Sequence, residues 1–287
     1  MAVGLGVIVM TSIIALLFAL QTRLIFPGAA TQRSPEARVV VPVDAELLRL
    51  STRRGDRIAA IFGPALTEEG SPHPDARNRP TLLYFYGNGN QLRYAAEDEF
   101  DRFRKLGTNM LIAEYVGYGL SEGAPGEIGC YETADAAYEH LLTRDDIDPK
   151  LIIAAGRSIG GAVAIDLAAR RQVAGLVAFC TFTRMGAMVR RQFPFVPTML
   201  LLRHKFDSLG DIGRVKCPIL LGHGAEDRFV PPWMSKSLAE AAKASVTTFF
   251  VPGANHNDFY AVGEKQILKE LGAFIEKVAE RKFEPAR

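Results

Sequence analysis

The chain has 287 residues, 34 of them Lys or Arg against 32 Asp or Glu, for a net charge of +2. That is enough for an N-terminal segment plus about one large domain, and it carries no charge excess that would call for a polyanion, so nucleic acid is not expected as a partner. The three cysteines, Cys130, Cys180 and Cys217, are odd in number and widely spaced. They fit neither a disulfide framework nor a CxxC site and read as small core hydrophobes.

From Met1 to Leu20 no side chain is charged and almost all are apolar. Twenty helical residues span about 30 Å, the thickness of a bilayer core. No Lys or Arg precedes the run and no A-x-A site follows it, so residues 1–24 are expected to be an uncleaved single-pass membrane anchor rather than a signal peptide. The basic residues that follow it, Arg23, Arg33 and Arg38, are of the kind the positive-inside rule keeps cytosolic, although the side of the catalytic domain stays open. Residues 25–37, with Pro27, Gly28, Ser34 and Pro35, read as a linker. On this reading the anchor has no part in any site, and removing residues up to about Gln21 should leave the chemistry intact.

The folded domain is expected over residues 38–287. Strands near Glu46–Thr52 and Asp56–Phe62 flank an Arg53-Arg54-Gly55 turn. From Thr81 onward, apolar runs of strand length alternate with stretches of helical spacing. The strands fall at Thr81–Tyr86, Asn109–Tyr115, Leu151–Ala155, Gly175–Phe182, Pro218–Gly222 and Val246–Val251. Helices are expected around Arg93–Lys105, Gly129–Leu142, Ile159–Arg171, Pro232–Lys243 and Tyr260–Glu280. This rhythm predicts an α/β fold with a mostly parallel sheet and helices on both faces. Residues 183–216 interrupt it as a cap insertion at the carboxyl edge of the sheet, where such sheets bind ligands.

Two stretches match G-x-S-x-G. Gly156-Arg157-Ser158-Ile159-Gly160 follows an apolar strand and opens a small-residue helix, the context of a nucleophile elbow. Gly119-Leu120-Ser121-Glu122-Gly123 runs into Ala124-Pro125-Gly126 and reads as a loop. A serine nucleophile needs a base and a group to orient that base. His73, His140 and His204 follow no late strand, and His223 ends a strand between two glycines. His256, in the loop between the last strand and the last helix, is the expected base, and Asp227, just past the strand Pro218–Gly222, the expected acid. The order Ser, Asp, His is the one this motif requires. The N–H of Ile159 and the N–H of Asn88, in Tyr86-Gly87-Asn88-Gly89, are the expected oxyanion donors. No phosphate loop or metal-ligand spacing is present, and no cofactor or metal is implied.

With these residues in place, the chain resembles the α/β-hydrolase superfamily, and within it the branch of single-span membrane-anchored abhydrolase-domain serine hydrolases. The likeness rests on Tyr86-Gly87-Asn88-Gly89, on Glu114 to Gly123, on Gly156 to Gly161, on His223-Gly224-Ala225-Glu226-Asp227, on Phe193-Pro194-Phe195-Val196-Pro197 and on Asn255-His256. It departs from the branch at Tyr86, where His is usual, and at Glu114-Tyr115-Val116, where an acidic Asp-Tyr-Arg is usual. The resemblance implies hydrolysis of an acyl bond by Ser158, His256 and Asp227. Met185, Met188, Phe193 and Phe195 of the insertion are expected to line an apolar pocket for a small-molecule acyl ester or thioester. A peptidase or amidase, and a catalytically silent membrane scaffold, are the alternatives.

Overall fold

A computed structural model describes residues 2–280, without the side chains of residues 2–8 and of Met199. Met1 of the expected anchor and residues 281–287 of the expected hydrolase domain lie outside the described residues.

The chain forms one eight-stranded sheet in the order β1-β2-β4-β3-β5-β6-β7-β8. The strands are β1 (Glu46–Ser51), β2 (Arg57–Gly63), β3 (Thr81–Phe85), β4 (Asn109–Ala113), β5 (Ile152–Arg157), β6 (Gly175–Phe179), β7 (Ile219–Gly224) and β8 (Val246–Val251). β2 pairs antiparallel with β1 and β4, and all remaining pairs are parallel. β3, β4 and β6 are buried at every residue. That burial follows from helices on both faces and explains why these strands read as continuous apolar runs rather than alternations. The edge strand β1 alternates instead. The β1–β2 turn is the expected one, with Gly55 at φ 87.

The helices are α1 (Ala2–Ile25), α2 (Leu92–Ala95), a π turn at Ala96–Phe100, α3 (Asp101–Arg104), α4 (Glu127–Thr143), α5 (Ile159–Arg170), α6 (Met185–Gln192), α7 (Thr198–Leu201), α8 (Ser208–Ile212), α9 (Trp233–Ala241) and α10 (Phe259–Glu280). α5 is the central one. Its residues from Ile159 to Ala168 are all buried, because its small side chains let it lie close against β5 and β6. The cap insertion forms α6, α7 and α8.

The N-terminal segment departs from expectation. The helix forms over Ala2–Ile25, but its second half is docked on the domain rather than leaving it. Gln21 is buried; its Nε2 donates to the Leu201 carbonyl at 3.3 Å, and its Oε1 accepts from the Arg203 N–H at 2.8 Å. His204 accepts from the Glu127 N–H at Nδ1, which leaves Nε2 to donate to Thr22 Oγ1 at 3.0 Å. The stretch expected as a linker is stitched down as well. Phe26 is 1% exposed and packs edge-on against His204, Gly28 donates to the Asn88 carbonyl, and Arg33 donates to the Gly119 carbonyl. The reason lies outside the segment itself, in the cap and loop surfaces that supply its partners. Among the described residues, whose side chains on α1 begin at Val9, no helix is long and apolar enough to cross a membrane.

A linker phenylalanine would contribute little to stability, whereas one buried among Ile25, His204 and Phe206 is core. Phe26→Ala should therefore destabilise the protein by about 3 kcal/mol, read as a lowered midpoint in chemical denaturation of the full chain.

Candidate active site

The serine at the end of β5 stands in a turn that few residues tolerate. Ser158 has φ 56 and ψ −121, a positive-φ conformation that costs a residue with a β-carbon about 1–3 kcal/mol. Its N–H donates to the Phe179 carbonyl at 2.8 Å, and its carbonyl accepts from Thr181 Oγ1 at 2.8 Å. A β-carbon on Gly156 would run into the Gly160 backbone, and one on Gly160 into the Phe85 carbonyl. The two motif glycines thus let the start of α5 lie against the ends of β5 and β3, which leaves the serine side chain at the mouth of the sheet.

His256 and Asp227 converge on it from the loops after β8 and β7. His256 Nε2 lies 3.1 Å from Ser158 Oγ, and Nδ1 lies 2.7 Å from Asp227 Oδ2. Asp227 Oδ1 accepts the Phe229 and Val230 N–H groups at 2.9 and 2.8 Å, so the carboxylate plane is fixed and Oδ2 is turned to the imidazole. Burial by itself would raise the Asp227 carboxyl, but hydrogen bonds from His223 and His256 and the His256 charge hold it well below the usual carboxylate range. The His256 loop is tied at both ends. Its N–H donates to Asn255 Oδ1 at 2.8 Å, Asn255 donates to Asp258 Oδ1 at 2.6 Å, and Arg157 donates to the His256 carbonyl.

Asn88 and Ile159 line the same cavity as Ser158. Among the described residues no acceptor engages the N–H of either. The Gly87 carbonyl accepts from Asn90, and because a peptide's C=O and N–H are antiparallel, this turns the Asn88 N–H the opposite way. Asn88 is held at three further points. Its carbonyl accepts from Gly28 and from Tyr118 Oη, and its Nδ2 donates to the Ile25 carbonyl at 2.8 Å. The two departures from the branch pattern lie beneath this loop. Tyr115 Oη donates to the Tyr86 carbonyl at 2.8 Å, and the buried Glu114 accepts the Leu92 and Leu120 N–H groups.

The other candidates take different places. Ser121 is buried, accepting from the Ala59 N–H and donating to the Glu114 carbonyl, which clips β2 to the loop after β4. His223 is also buried, with Nδ1 2.6 Å from Ser235 Oγ and Nε2 2.8 Å from the Val230 carbonyl and 3.3 Å from Asp227 Oδ2. It backs the acid and does not reach the serine. Met185, Met188 and Phe193 line the cavity, whereas Phe195 lies outside its lining and is 43% exposed, since the Pro194–Pro197 turn carries it away.

Some residues of the site escaped the sequence reading. Arg157 had a signal, as a charge at the end of an otherwise apolar strand. Cys180, at φ 45, places its thiol within 4.8 Å of the Asp227 and His256 ligand atoms. Burial pushes that thiol up to about 12, so it stays protonated, and the Asp227 and His256 atoms that could join it in holding an ion are engaged with each other. The largest omission is α1. Ile14, Leu17, Phe18, Gln21, Leu24 and Ile25 all line the cavity, so the expectation that the N-terminal helix has no part in the site is overturned.

A mostly parallel sheet with the serine after β5, the acid after β7 and the histidine after β8 defines a class, the α/β-hydrolases. The chain belongs to this superfamily, and its residues 123–266 match the dienelactone hydrolase family. It is 31% identical over 301 residues to the alpha/beta hydrolase domain-containing protein WAV2 of Arabidopsis thaliana, an alignment that covers 97% of this chain and 94% of that protein. Among solved structures, an esterase of Pyrococcus furiosus superposes with a TM-score of 0.65 at 18% identity, over 84% of this chain and 96% of that one. A puromycin-hydrolyzing peptidase of Mycobacterium tuberculosis superposes at 0.68 and 21%, over 86% of this chain and 41% of that one.

The depressed Asp227 carboxyl has a consequence for acid stability. A carboxyl with a lower value folded than unfolded contributes stability that is fully present above the unfolded value, about 4, and is lost as pH falls through the folded one. Wild-type protein should thus lose stability between pH 6 and pH 3, and Asp227→Asn should lose less over the same interval, as measured by chemical denaturation at both pH values.

Proposed function

We propose that this hydrolase is a serine esterase or thioesterase acting on acylated, lipid-like substrates through an acyl-enzyme. The observation that carries the reading is the hydrogen-bonded chain from Ser158 Oγ through His256 to Asp227, opening into an apolar cavity. In this mechanism Ser158 Oγ attacks the carbonyl carbon while its proton passes to His256 Nε2, and Asp227 stabilises the imidazolium. The oxyanion is received by the N–H groups of Ile159 and Asn88. The intermediate collapses, His256 protonates the departing alcohol or thiol, and the acyl group stays on Ser158. A water then gives its proton to His256 and its oxygen to the acyl carbon, releasing the acid and restoring the serine. No cofactor enters any step.

The cavity favours an acyl chain over a peptide. Its cap wall is Met185, Met188, Val189, Phe193, Val196, Leu201 and Leu202, with Gln192 and Thr198 as the polar members, and none of the described residues that line it carries a charge. A peptidase selecting a free amine terminus would need a carboxylate there. We also read α1 as the membrane tether. Its outward residues Val9, Met10, Ile13 and Leu16 are apolar and 40–58% exposed, and a helix apolar on both its docked and its free face calls for an apolar surrounding.

A fluorophosphonate probe should label the wild type and Ser121→Ala, and fail on Ser158→Ala. His256→Ala should lower kcat by about four orders of magnitude. Across p-nitrophenyl esters from acetyl to octanoyl, kcat/KM should climb severalfold, since each buried methylene contributes up to about 0.8 kcal/mol. Labelling at Ser121, or a falling series, would refute the assignment. The full chain should co-float with liposomes, and a chain carrying Ile13→Asp and Leu16→Asp should not; equal flotation would refute the tether.

A further inference from the structure

We infer that α1 is the measuring wall of the acyl site, so that the substrate is a single unbranched acyl chain of up to about a dozen carbons laid along this helix. The inference rests on the acyl-hydrolase reading above and specifies its substrate.

The residues of α1 that line the cavity are Ile14, Leu17, Phe18, Gln21, Leu24 and Ile25. Their spacing, i, i+3, i+4, i+7, i+10 and i+11, is one continuous face of a helix. The face has a direction. At one end the Ile25 carbonyl accepts from Asn88 Nδ2, beside Ser158 and Ile159. At the other end is Ile14, about 16 Å further along the axis at 1.5 Å per residue. An all-trans chain advances roughly 1.3 Å per C–C bond of about 1.5 Å, so about a dozen carbons fit this length. Opposite run Met185, Met188, Val189 and Gln192 of α6 and Phe193 and Val196 of the loop after it, which make a second wall and turn the stripe into a channel.

Gln21, the polar member of the stripe, presents no free group to the channel. Its amide is spent on the Phe18 and Leu201 carbonyls and on the Arg203 N–H. It pins the helix to the end of α7, which fixes the width of the channel. The Arg203 guanidinium lies over the Phe18 ring, 4.2 Å from its centroid, and holds the same junction from outside. Phe18 and Leu24 stay 37% and 57% exposed, so the channel is open along its flank, where a chain can enter sideways.

A wall of this kind acts as a ruler, and the test reads it position by position. Full-length protein in detergent micelles is assayed on p-nitrophenyl esters from butyryl to tetradecanoyl, each at the same low mole fraction, with active sites titrated by the fluorophosphonate probe. In Ile14→Trp, kcat/KM should stop rising near decanoyl, and its dodecanoyl-to-butyryl ratio should fall about tenfold. Leu17→Trp, one turn nearer the serine, should stop the rise earlier, near hexanoyl. Leu16→Trp, on the outward face, should keep the wild-type profile. If Leu17→Trp yields no titratable sites, Phe18→Ala replaces it, a truncation at a part-exposed position that should lower the ratio about threefold. Inward and outward variants with the same profile, or an unchanged ratio in Phe18→Ala, would overturn the wall while leaving the hydrolase intact. A wild type whose rates do not rise with chain length would overturn the acyl reading itself.

Discussion

Ser158 is held at a φ of 56, a conformation that is unfavourable in isolation and persists because its surroundings over-determine it. β5 delivers the serine from one side and α5 leaves it on the other, and both are packed into the middle of the sheet. The Phe179 carbonyl takes its N–H and Thr181 donates to its carbonyl, so the neighbouring strand fixes the turn twice. Gly156 and Gly160 are required because backbone lies where their β-carbons would be. The strain places the hydroxyl outside the regular hydrogen bonding of strand and helix, where an imidazole reaches it.

The polar side of the site is built from loops, and each loop is made rigid by hydrogen bonds within itself or from the core. Asp227 spends one oxygen on two backbone N–H groups and turns the other toward His256 and His223. Asn255 and Arg157 hold the His256 backbone from two sides, and Asp258 in turn holds the Asn255 N–H. A network with both its donors and its acceptors engaged leaves the imidazole few alternative orientations, so it meets the serine hydroxyl in one geometry.

The N-terminal helix links this site to its surroundings. The same segment that carries the exposed apolar face also contributes the Ile25 carbonyl and the Gly28 N–H that cradle Asn88, the Gln21 amide that pins the cap, and one wall of the cavity. Disturbance of α1 is therefore transmitted to the Asn88 loop and to the cap through named bonds. The stretch from Ile14 to Gly28 belongs to the architecture of the site as much as the loops after β7 and β8 do.

The sequence by itself determined the mostly parallel sheet, its strand boundaries to within a few residues, and which serine, aspartate and histidine, Ser158, Asp227 and His256, the fold brings together. Each of these is encoded locally: parallel strands by apolar runs between helical periods, Ser158 by glycines around a strand-to-helix turn, Asp227 and His256 by their positions after late strands. What only the tertiary structure decided concerns partners distant in sequence. An apolar run has the same composition whether lipid or a cap covers it, so the docking of α1 was illegible until Leu201, Arg203 and His204 came to meet it. His223 looked like a turn residue because Ser235 and the Val230 carbonyl lie later in the chain. Phe195 looked like pocket because composition does not record which way a proline-flanked turn points.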